Sequence, residues 1–188
     1  IGHQVWMAEN LKATHYRNGD AITTGLDNSE WSSASEGAYA VYDDDPANAE
    51  IYGNLYNWYT VDDGRGVCPE NFHIPSDDEY TILVDYLGGE SVAGGKMKEA
   101  GLEHWNSPNT GATNESGFTG LSAGYRTGDY GEYINKGETV HFWSSDFTSN
   151  ENAEARRLDY NNSSIDKGAT NKNGGFSIRC LSDETQTT

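Results

Sequence analysis

The chain has 188 residues, with 30 acidic and 12 basic side chains and a formal net charge of −18. This charge repels nucleic-acid phosphates and anionic lipid headgroups, so we expect no nucleic-acid partner. No stretch approaches the ~20 consecutive apolar residues of a membrane-spanning helix. The 12 Tyr, five Trp and five Phe supply large apolar side chains for a core. Length and composition therefore predict one folded, aromatic-rich domain.

The first predicted element is an aromatic helix in residues 53–61. Around it, Tyr52, Leu55, Tyr56 and Tyr59 recur at the i, i+3, i+4 and i+7 positions that line one face of a helix. The segment contains no proline, so nothing in it forbids helical backbone.

A second predicted helix begins after Ser76. Residues 76–79 read Ser-Asp-Asp-Glu, which is a capping-box sequence with acidic residues where the helix dipole favours them. Apolar residues then repeat at helical spacing from Tyr80 to Leu87. Gly88 and the glycine after it predict the end of this helix.

Short strands are predicted in the second half of the chain. In the last of them, Phe176, Ile178 and Cys180 share one face. Residues 160–173 are rich in turn formers and predict a loop. The fold class expected is α+β, with two helices packed on short, mainly antiparallel twisted strands and long loops, as one domain over residues 1–182 with a flexible tail at 183–188. The predicted strands cover residues 118–125, 140–145, 154–160 and 175–181.

The chain has two cysteines, Cys68 and Cys180. Neither belongs to a C-x-x-C motif, and the five histidines include no pair at helical i, i+4 spacing, so we do not expect a zinc site. An even cysteine number in a Gly- and Asn-rich acidic domain fits one disulfide formed outside the cytoplasm. Two buried thiols are the alternative.

Gly120, Ser122 and Gly124 match the G-x-S-x-G pattern of a nucleophile elbow. An elbow needs a strand before the serine and a helix after it, whereas turn residues follow this motif. We therefore interpret the motif as a glycine-rich strand and turn. With no other credible catalytic set, the sequence predicts a protein that is not an enzyme.

An acidic segment offers hard oxygen ligands of the kind that calcium binds. It lacks the Gly and Glu positions of an EF-hand loop, and an acidic run is commonly a solvated turn. Calcium is the one cofactor that the sequence suggests. Its candidate ligands are Asp43, Asp44, Asp45, Asn48 and Glu50.

Aromatic and arginine side chains in the polar late segments are the main candidates for ligand contact. Tyr and Arg combine apolar area with directed hydrogen bonds, and flat rings stack on sugar faces. In the alternative interpretation these side chains fill the core, and we expect at least half of the set to be structural. The set comprises Tyr125, Arg126, Tyr130, Tyr133, Trp143, Asp146, Arg156 and Arg157.

Six long segments, in this order, resemble the Fibrobacter succinogenes major paralogous domain family. Together they span nearly the whole chain. They are residues 4–11 (QVWMAENL), 52–59 (YGNLYNWY), 68–79 (CPENFHIPSDDE), 114–118 (NESGF), 142–145 (FWSS) and 175–180 (GFSIRC).

The resemblance implies a variant of the C-type-lectin fold, distantly similar to sulfatase-modifying factor domains. In those factors, two cysteines close together late in the chain hold copper, a spacing that Cys68 and Cys180 do not share. Their positions suit a structural disulfide from the start of the second helix to the last strand. The resemblance also implies a bacterial protein that is secreted, or lipid-anchored at the cell surface.

These observations predict a non-catalytic, monomeric extracellular recognition module that binds a glycan or a protein surface through its late loops. Two alternatives use the same scaffold. One is an enzyme acting on cell-wall or glycan material through a carboxylate pair. The other is a structural or adhesive surface protein.

Overall fold

A computed structural model describes residues 1–184 of the chain. The described part contains short helices, a 3-10 turn at Tyr42–Asp44, and short strands. None of its helices is long and apolar enough to cross a membrane. The helices are α1 (Asn28–Ser32), α2 (Pro46–Tyr52), α3 (Trp58–Val61), α4 (Asp77–Tyr86) and α5 (Glu90–Met97). The strands are β1 (Tyr39–Ala40), β2 (Leu55–Tyr56), β3 (Phe72–His73), β4 (Tyr125–Arg126), β5 (Tyr133–Ile134), β6 (Thr139–Phe147), β7 (Asn152–Asp159), β8 (Ile165–Asn171) and β9 (Leu181–Ser182).

Helix α4 confirms the prediction made from the capping box. The Ser76 side chain accepts a hydrogen bond from the Glu79 backbone N–H, and the Glu79 carboxylate accepts one from the Ser76 backbone N–H. Gly88 and Gly89 take positive φ angles of 105° and 96°, a conformation that a residue with a Cβ rarely adopts, and end the helix. The apolar stripe of α4 faces a core cluster that includes Phe142 and Leu158.

The predicted aromatic helix at residues 53–61 is wrong. Its first half holds β2, which pairs antiparallel with β1, and only the four residues of α3 are helical, capped by Asn57. The helical spacing of the aromatic residues predicted the wrong structure because this segment buries side chains on more than one side. Tyr56 and Trp58 are both fully buried, so their spacing reflects tertiary packing instead of one helix face.

The main sheet is antiparallel, in the order β6–β7–β8, and an irregularity interrupts β6 between Trp143 and Phe147. Strands β6 and β7 confirm the two predictions at 140–145 and 154–160. Strand β8 falls within the predicted loop at 160–173, which corrects that prediction. As an edge strand with exposed polar residues, β8 lacks the apolar alternation by which strands are found in a sequence.

The predicted strands at 118–125 and 175–181 form mainly isolated bridges, with β4 and β9 at their ends. Residues 175–177 lie between β6 and β2, since Ser177 bridges Phe142 and Phe176 bridges Tyr56. Phe176, Ile178 and Cys180 enter one core cluster, as their alternation predicted.

The N-terminal segment runs beside the C-terminal one. The Met7 N–H donates to the Cys180 carbonyl and the Leu11 N–H to the Ile178 carbonyl. Of the predicted tail, residues 185–188 lie outside the described residues, while the Asp183 N–H donates to the carbonyl of Asn71.

Cys68 and Cys180 form a disulfide, with their Cα atoms 6.0 Å apart. The bond joins the loop before β3 to the segment before β9, and both cysteines belong to the same buried cluster. The disulfide prediction is therefore confirmed, and the alternative of two free thiols is excluded.

Candidate functional site

A groove of about 1050 Å³ lies along the edge strand β8. We call it the β8 groove. Strands β7 and β8 line it, together with Glu90 and Ser91 at the start of α5 and His141 of β6. Because successive side chains of a strand point to opposite faces, Glu154 and Arg157 of β7 belong to opposite faces of the sheet. The groove therefore takes side chains from both faces.

His141 is a groove residue that the sequence analysis did not select. Its ring stacks on Phe176, with the centroids 4.6 Å apart, and meets the Tyr125 ring at 4.7 Å. Burial, reinforced by the nearby Arg157 charge, lowers the pKa of His141 to about 3. The imidazole is neutral at pH 7, and Nδ1 is buried with no hydrogen-bond partner among residues 1–184. Its only sequence signal is its place next to the FWSS segment, on the same strand.

Glu154 carries the second unpartnered polar atom of the groove. Its Oε2 is buried and makes no hydrogen bond within the described part of the chain. A carboxylate oxygen accepts hydrogen bonds, and a neutral imidazole nitrogen accepts or donates one according to its tautomer. The groove lining therefore contains two buried polar atoms that have no hydrogen-bond partner among residues 1–184.

Arg157 belongs to the predicted set and lines the groove. It lies opposite His141 in the β6–β7 register, and its side chain is 46% exposed. Its Nε donates to Asp159 at 2.9 Å and its Nη2 to Asp166 at 2.8 Å. This row of alternating donors and acceptors suits recognition of a polar ligand.

Tyr125, which also belongs to the predicted ligand set, packs against the His141 ring and is half-buried. Its ring packs edge-on against Phe176 at 5.7 Å. Burial raises the pKa of the phenol and the Arg157 charge opposes that shift, so Tyr125 and Arg157 are electrostatic neighbours. The fold thus brings two predicted ligand residues together around one unpredicted histidine.

Three other predicted ligand residues are buried, with their donors used inside the protein. Arg126 donates to the carbonyls of Gly131 and Leu26. Trp143 donates to the Tyr56 carbonyl at 2.7 Å. Arg156 binds the Asp77 carboxylate at 2.7 Å. These three side chains therefore stabilise the interior of the second half of the chain and are not available at its surface to contact a ligand.

The remaining three do not line the groove, and of these Tyr130 and Asp146 are exposed while Tyr133 is partly buried. Tyr130 is 72% exposed. The Tyr133 hydroxyl donates to Asp44 at 2.7 Å. Asp146 accepts the backbone N–H of Asp77 at the start of α4. The structure therefore distributes the predicted ligand residues over several places.

The oxygens of the predicted calcium ligands are partly used inside the protein. Asp45 caps α2, Asp44 accepts the Tyr133 hydroxyl, and Asn48 accepts a hydrogen bond from Lys136. Asp43 and Glu50 are exposed. Calcium at this segment stays a prediction.

A different group of side chains within residues 1–184 could hold a metal ion. Glu99, Glu103 and His104 bring their ligand atoms close together there. The cluster was not predicted, because it contains a single histidine and a zinc site was sought as a histidine pair at helical spacing.

Ser122 of the G-x-S-x-G pattern is fully buried and donates to the backbone carbonyl of His104. The two-residue strand β4 follows it, with no helix in the position that an elbow requires. This geometry agrees with the interpretation as a strand and turn.

The comparisons identify a family. A family model described as the Fibrobacter succinogenes major domain matches residues 1–182. No curated protein and no solved structure matches the chain, so the similarity to sulfatase-modifying factors stays a prediction. With the match covering nearly its whole length, the chain belongs to the Fibrobacter succinogenes major domain family.

Proposed function

We propose that this domain is a non-catalytic recognition module that binds a glycan chain along the β8 groove. The observation that carries the proposal is that the groove lining contains buried polar atoms without a hydrogen-bond partner among residues 1–184, His141 Nδ1 on one face of the sheet and Glu154 Oε2 on the other. A buried polar atom without a partner costs free energy, and a ligand that satisfies it recovers that cost. Sugar hydroxyl groups donate and accept hydrogen bonds, so they suit both atoms.

The groove surface supports the same ligand class. Arg157 and its two carboxylate partners form a half-exposed hydrogen-bonding row beside the unpartnered imidazole. Gly168, in the middle of β8, has no neighbouring atom within 4 Å of the position that a Cβ would take, so a ligand reaches the strand backbone there. An extended chain fits a groove that follows a strand edge better than a compact molecule does.

We also propose a C-type-lectin-like arrangement and an extracellular or cell-surface location. The family resemblance and the packing of the capped helix α4 beside short antiparallel strands support the former. The disulfide supports the latter, because such bonds persist in oxidising compartments.

The test compares two arginines in similar settings. Arg157 is 46% exposed and binds Asp159 and Asp166, whereas Arg65 is 41% exposed, binds Asp20 and Asp63, and lies outside the β8 groove. Wild-type chain is screened on a glycan array, and the best ligand is measured by calorimetry against Arg157→Ala and Arg65→Ala. We expect Arg157→Ala to weaken binding about tenfold or more and Arg65→Ala to leave it unchanged.

An array without binding, or equal loss in both variants, contradicts the proposal. Cleavage of the bound glycan during the incubation favours the alternative enzyme. If the domain captures a protein and binds no glycan, the function is protein recognition instead.

A further inference from the structure

A second cluster of chemically active side chains lies outside the β8 groove. We call Glu99, Glu103 and His104 the His104 cluster. One ligand atom from each residue lies within 4.8 Å of the other two. The His104 Nδ1 is 2.9 Å from Glu99 Oε2 and 3.0 Å from Oε1.

Of the described residues, only the His104 imidazole forms an ion pair with a carboxylate of the cluster. Among residues 1–184, no salt bridge joins a lysine or arginine to Glu99 or Glu103. The adjacent Lys98 does not pair with these carboxylates, because its buried ammonium donates to the carbonyls of Thr110, Asp159 and Asn162. Two converging carboxylates in a chain of net charge −18 attract a cation.

The backbone around the cluster is held in place. The Glu99 N–H donates to the Gly120 carbonyl, and the His104 carbonyl accepts the Ser122 hydroxyl. Tyr52, at the end of α2, meets the His104 ring edge-on at 5.6 Å. Such supporting contacts fix ligand orientation, which is what a metal site needs from its surroundings.

A buried amide beside the cluster is incompletely satisfied. Asn109 is 6% exposed and donates to the carbonyls of Glu99 at 2.9 Å and Gly101 at 2.7 Å. Its Oδ1 makes no hydrogen bond within the described residues. The Asn109 amide is therefore bonded to the backbone of the cluster through its nitrogen, while its oxygen is a buried acceptor without a partner among residues 1–184.

We propose that Glu99, Glu103 and His104 bind a divalent transition-metal ion of the Zn²⁺ type. An imidazole nitrogen with two carboxylate oxygens favours such an ion over Ca²⁺, which takes oxygen ligands only. Ligand bonds of about 2.0–2.2 Å place tetrahedral ligand atoms roughly 3.3–3.6 Å apart. The His104 nitrogen and the Glu99 carboxylate, now 2.9 Å apart, would separate slightly, and all three ligand atoms already lie within 4.8 Å of one another. The ion takes the place of the proton that the imidazole shares with Glu99, and its charge of two balances the two carboxylates.

His73 supplies a matched control. It also contacts two carboxylates, Glu79 at 2.9 Å and Asp183 at 2.6 Å. These bind opposite nitrogens of the ring, through Nε2 and Nδ1, so the carboxylates are held apart by the imidazole and do not converge on one point.

The experiment is calorimetric titration of the folded chain with ZnCl₂, for wild type, His104→Gln, Glu103→Gln and His73→Gln. We expect one ion per wild-type chain, about tenfold or greater loss of affinity in His104→Gln and in Glu103→Gln, and wild-type affinity in His73→Gln. Glu103 is exposed, so its variant folds even where the His104 variant does not; melting curves verify this.

The proposal is overturned if wild type shows no saturable Zn²⁺ binding, or if Glu103→Gln binds with wild-type affinity. Equal loss in the His73 and His104 variants also overturns it, because that result means dispersed surface binding. Glycan binding plays no part in these measurements, so the glycan proposal stands or falls separately.

Discussion

Arg179 is a buried cation without a carboxylate partner among residues 1–184. It is 1% exposed, and its guanidinium donates to Asn10 Oδ1 and to backbone carbonyls that include that of Phe118. It also lies over the Phe118 ring, 4.3 Å from the centroid. Burial lowers the pKa of Arg179 to about 10, so the side chain stays charged at pH 7. Its charge is stabilised by oriented dipoles, which ties the terminal segment to the N-terminal one.

Replacing Arg179 by Met removes every donor from this cage and leaves Asn10 Oδ1 and the carbonyls buried without partners. We expect the free energy of unfolding to fall by about 3 kcal/mol or more, measured by urea denaturation. Arg157→Met is the control, because its exposed ion pairs contribute at most about 1 kcal/mol. Equal losses in the two variants contradict this account.

His141 links burial to acid sensitivity. The pKa of its folded-state imidazole is about 3, against 6.5 for the free side chain. Between these values the unfolded chain binds a proton that the folded chain does not. Stability from this residue is therefore complete above pH 6.5 and is lost as the pH falls toward 3.

A His141→Phe variant keeps an aromatic ring against Phe176 but has no group to protonate. Between pH 7 and pH 4.5 we expect wild type to lose about 2–3 kcal/mol of unfolding free energy relative to this variant, measured by denaturation at both pH values. Parallel pH dependences of the two proteins contradict it.

For His73→Gln we expect the opposite pH dependence of the unfolding free energy, measured in the same way. Burial opposes protonation of His73, but hydrogen bonds to Asp183 and Glu79 raise its pKa overall. Its contribution is present below pH 6.5 and is lost as the pH rises, so this variant falls behind wild type at acid pH.

At the scale of elements, one carboxylate holds α4 on the sheet. Asp77, the first residue of α4, binds Arg156 of β7 at 2.7 Å and Lys167 of β8 at 2.6 Å. Arg156 is buried and also donates to Thr81 on the next helical turn. The capping box determines where the helix begins, and the Asp77 pairs determine where it lies.

Asp77→Ala leaves the buried Arg156 charge with only the exposed Glu90 carboxylate, 3.9 Å away. We expect a loss of about 3 kcal/mol in unfolding free energy, measured by thermal or urea denaturation. Asp78→Ala removes the neighbouring exposed acid of the same first turn, and we expect a change of at most about 0.5 kcal/mol. A small Asp77 effect, close to that of Asp78, shows that the ion pair does not hold the helix.

The elements also show where sequence patterns succeed. Helix α4 was predicted correctly because its cap, dipole and apolar stripe all act within a few residues. Strand β2 was predicted as helix because Tyr56 is buried by distant segments, including Phe176, which a local spacing does not reveal. Strand β8 was missed because its pairing with β7, and not its composition, makes it a strand.

At the scale of the whole molecule, the disulfide closes most of the chain. Cys68 and Cys180 are 112 residues apart in sequence, so the bond restricts a long loop of the unfolded chain. The hydrogen bonds of the terminal segments meet at the same place, since Met7 donates to the Cys180 carbonyl. The segment around Cys180 is therefore held covalently to the loop at Cys68 and by backbone hydrogen bonds to the N-terminal segment.

Replacing both cysteines by serine removes this restriction. In the chain-entropy description a loop of this length accounts for about 4–5 kcal/mol, so we expect a loss of that order in unfolding free energy. Reductant lowers the stability of wild type by a similar amount and has no effect on the double variant. A double variant as stable as oxidised wild type contradicts the expectation.

The sequence alone determined the family, the capped helix, strands β6 and β7 of the main sheet and the cysteine pair, because these depend on long motifs or on contacts within a few residues. Only the tertiary structure decided which of the many aromatic and arginine side chains are buried, as with Arg126 and Trp143. Only it placed His141 beside Arg157, and Glu103 and His104 beside Glu99. These contacts depend on the path of the whole chain, which the spacing of residues in the sequence does not reveal.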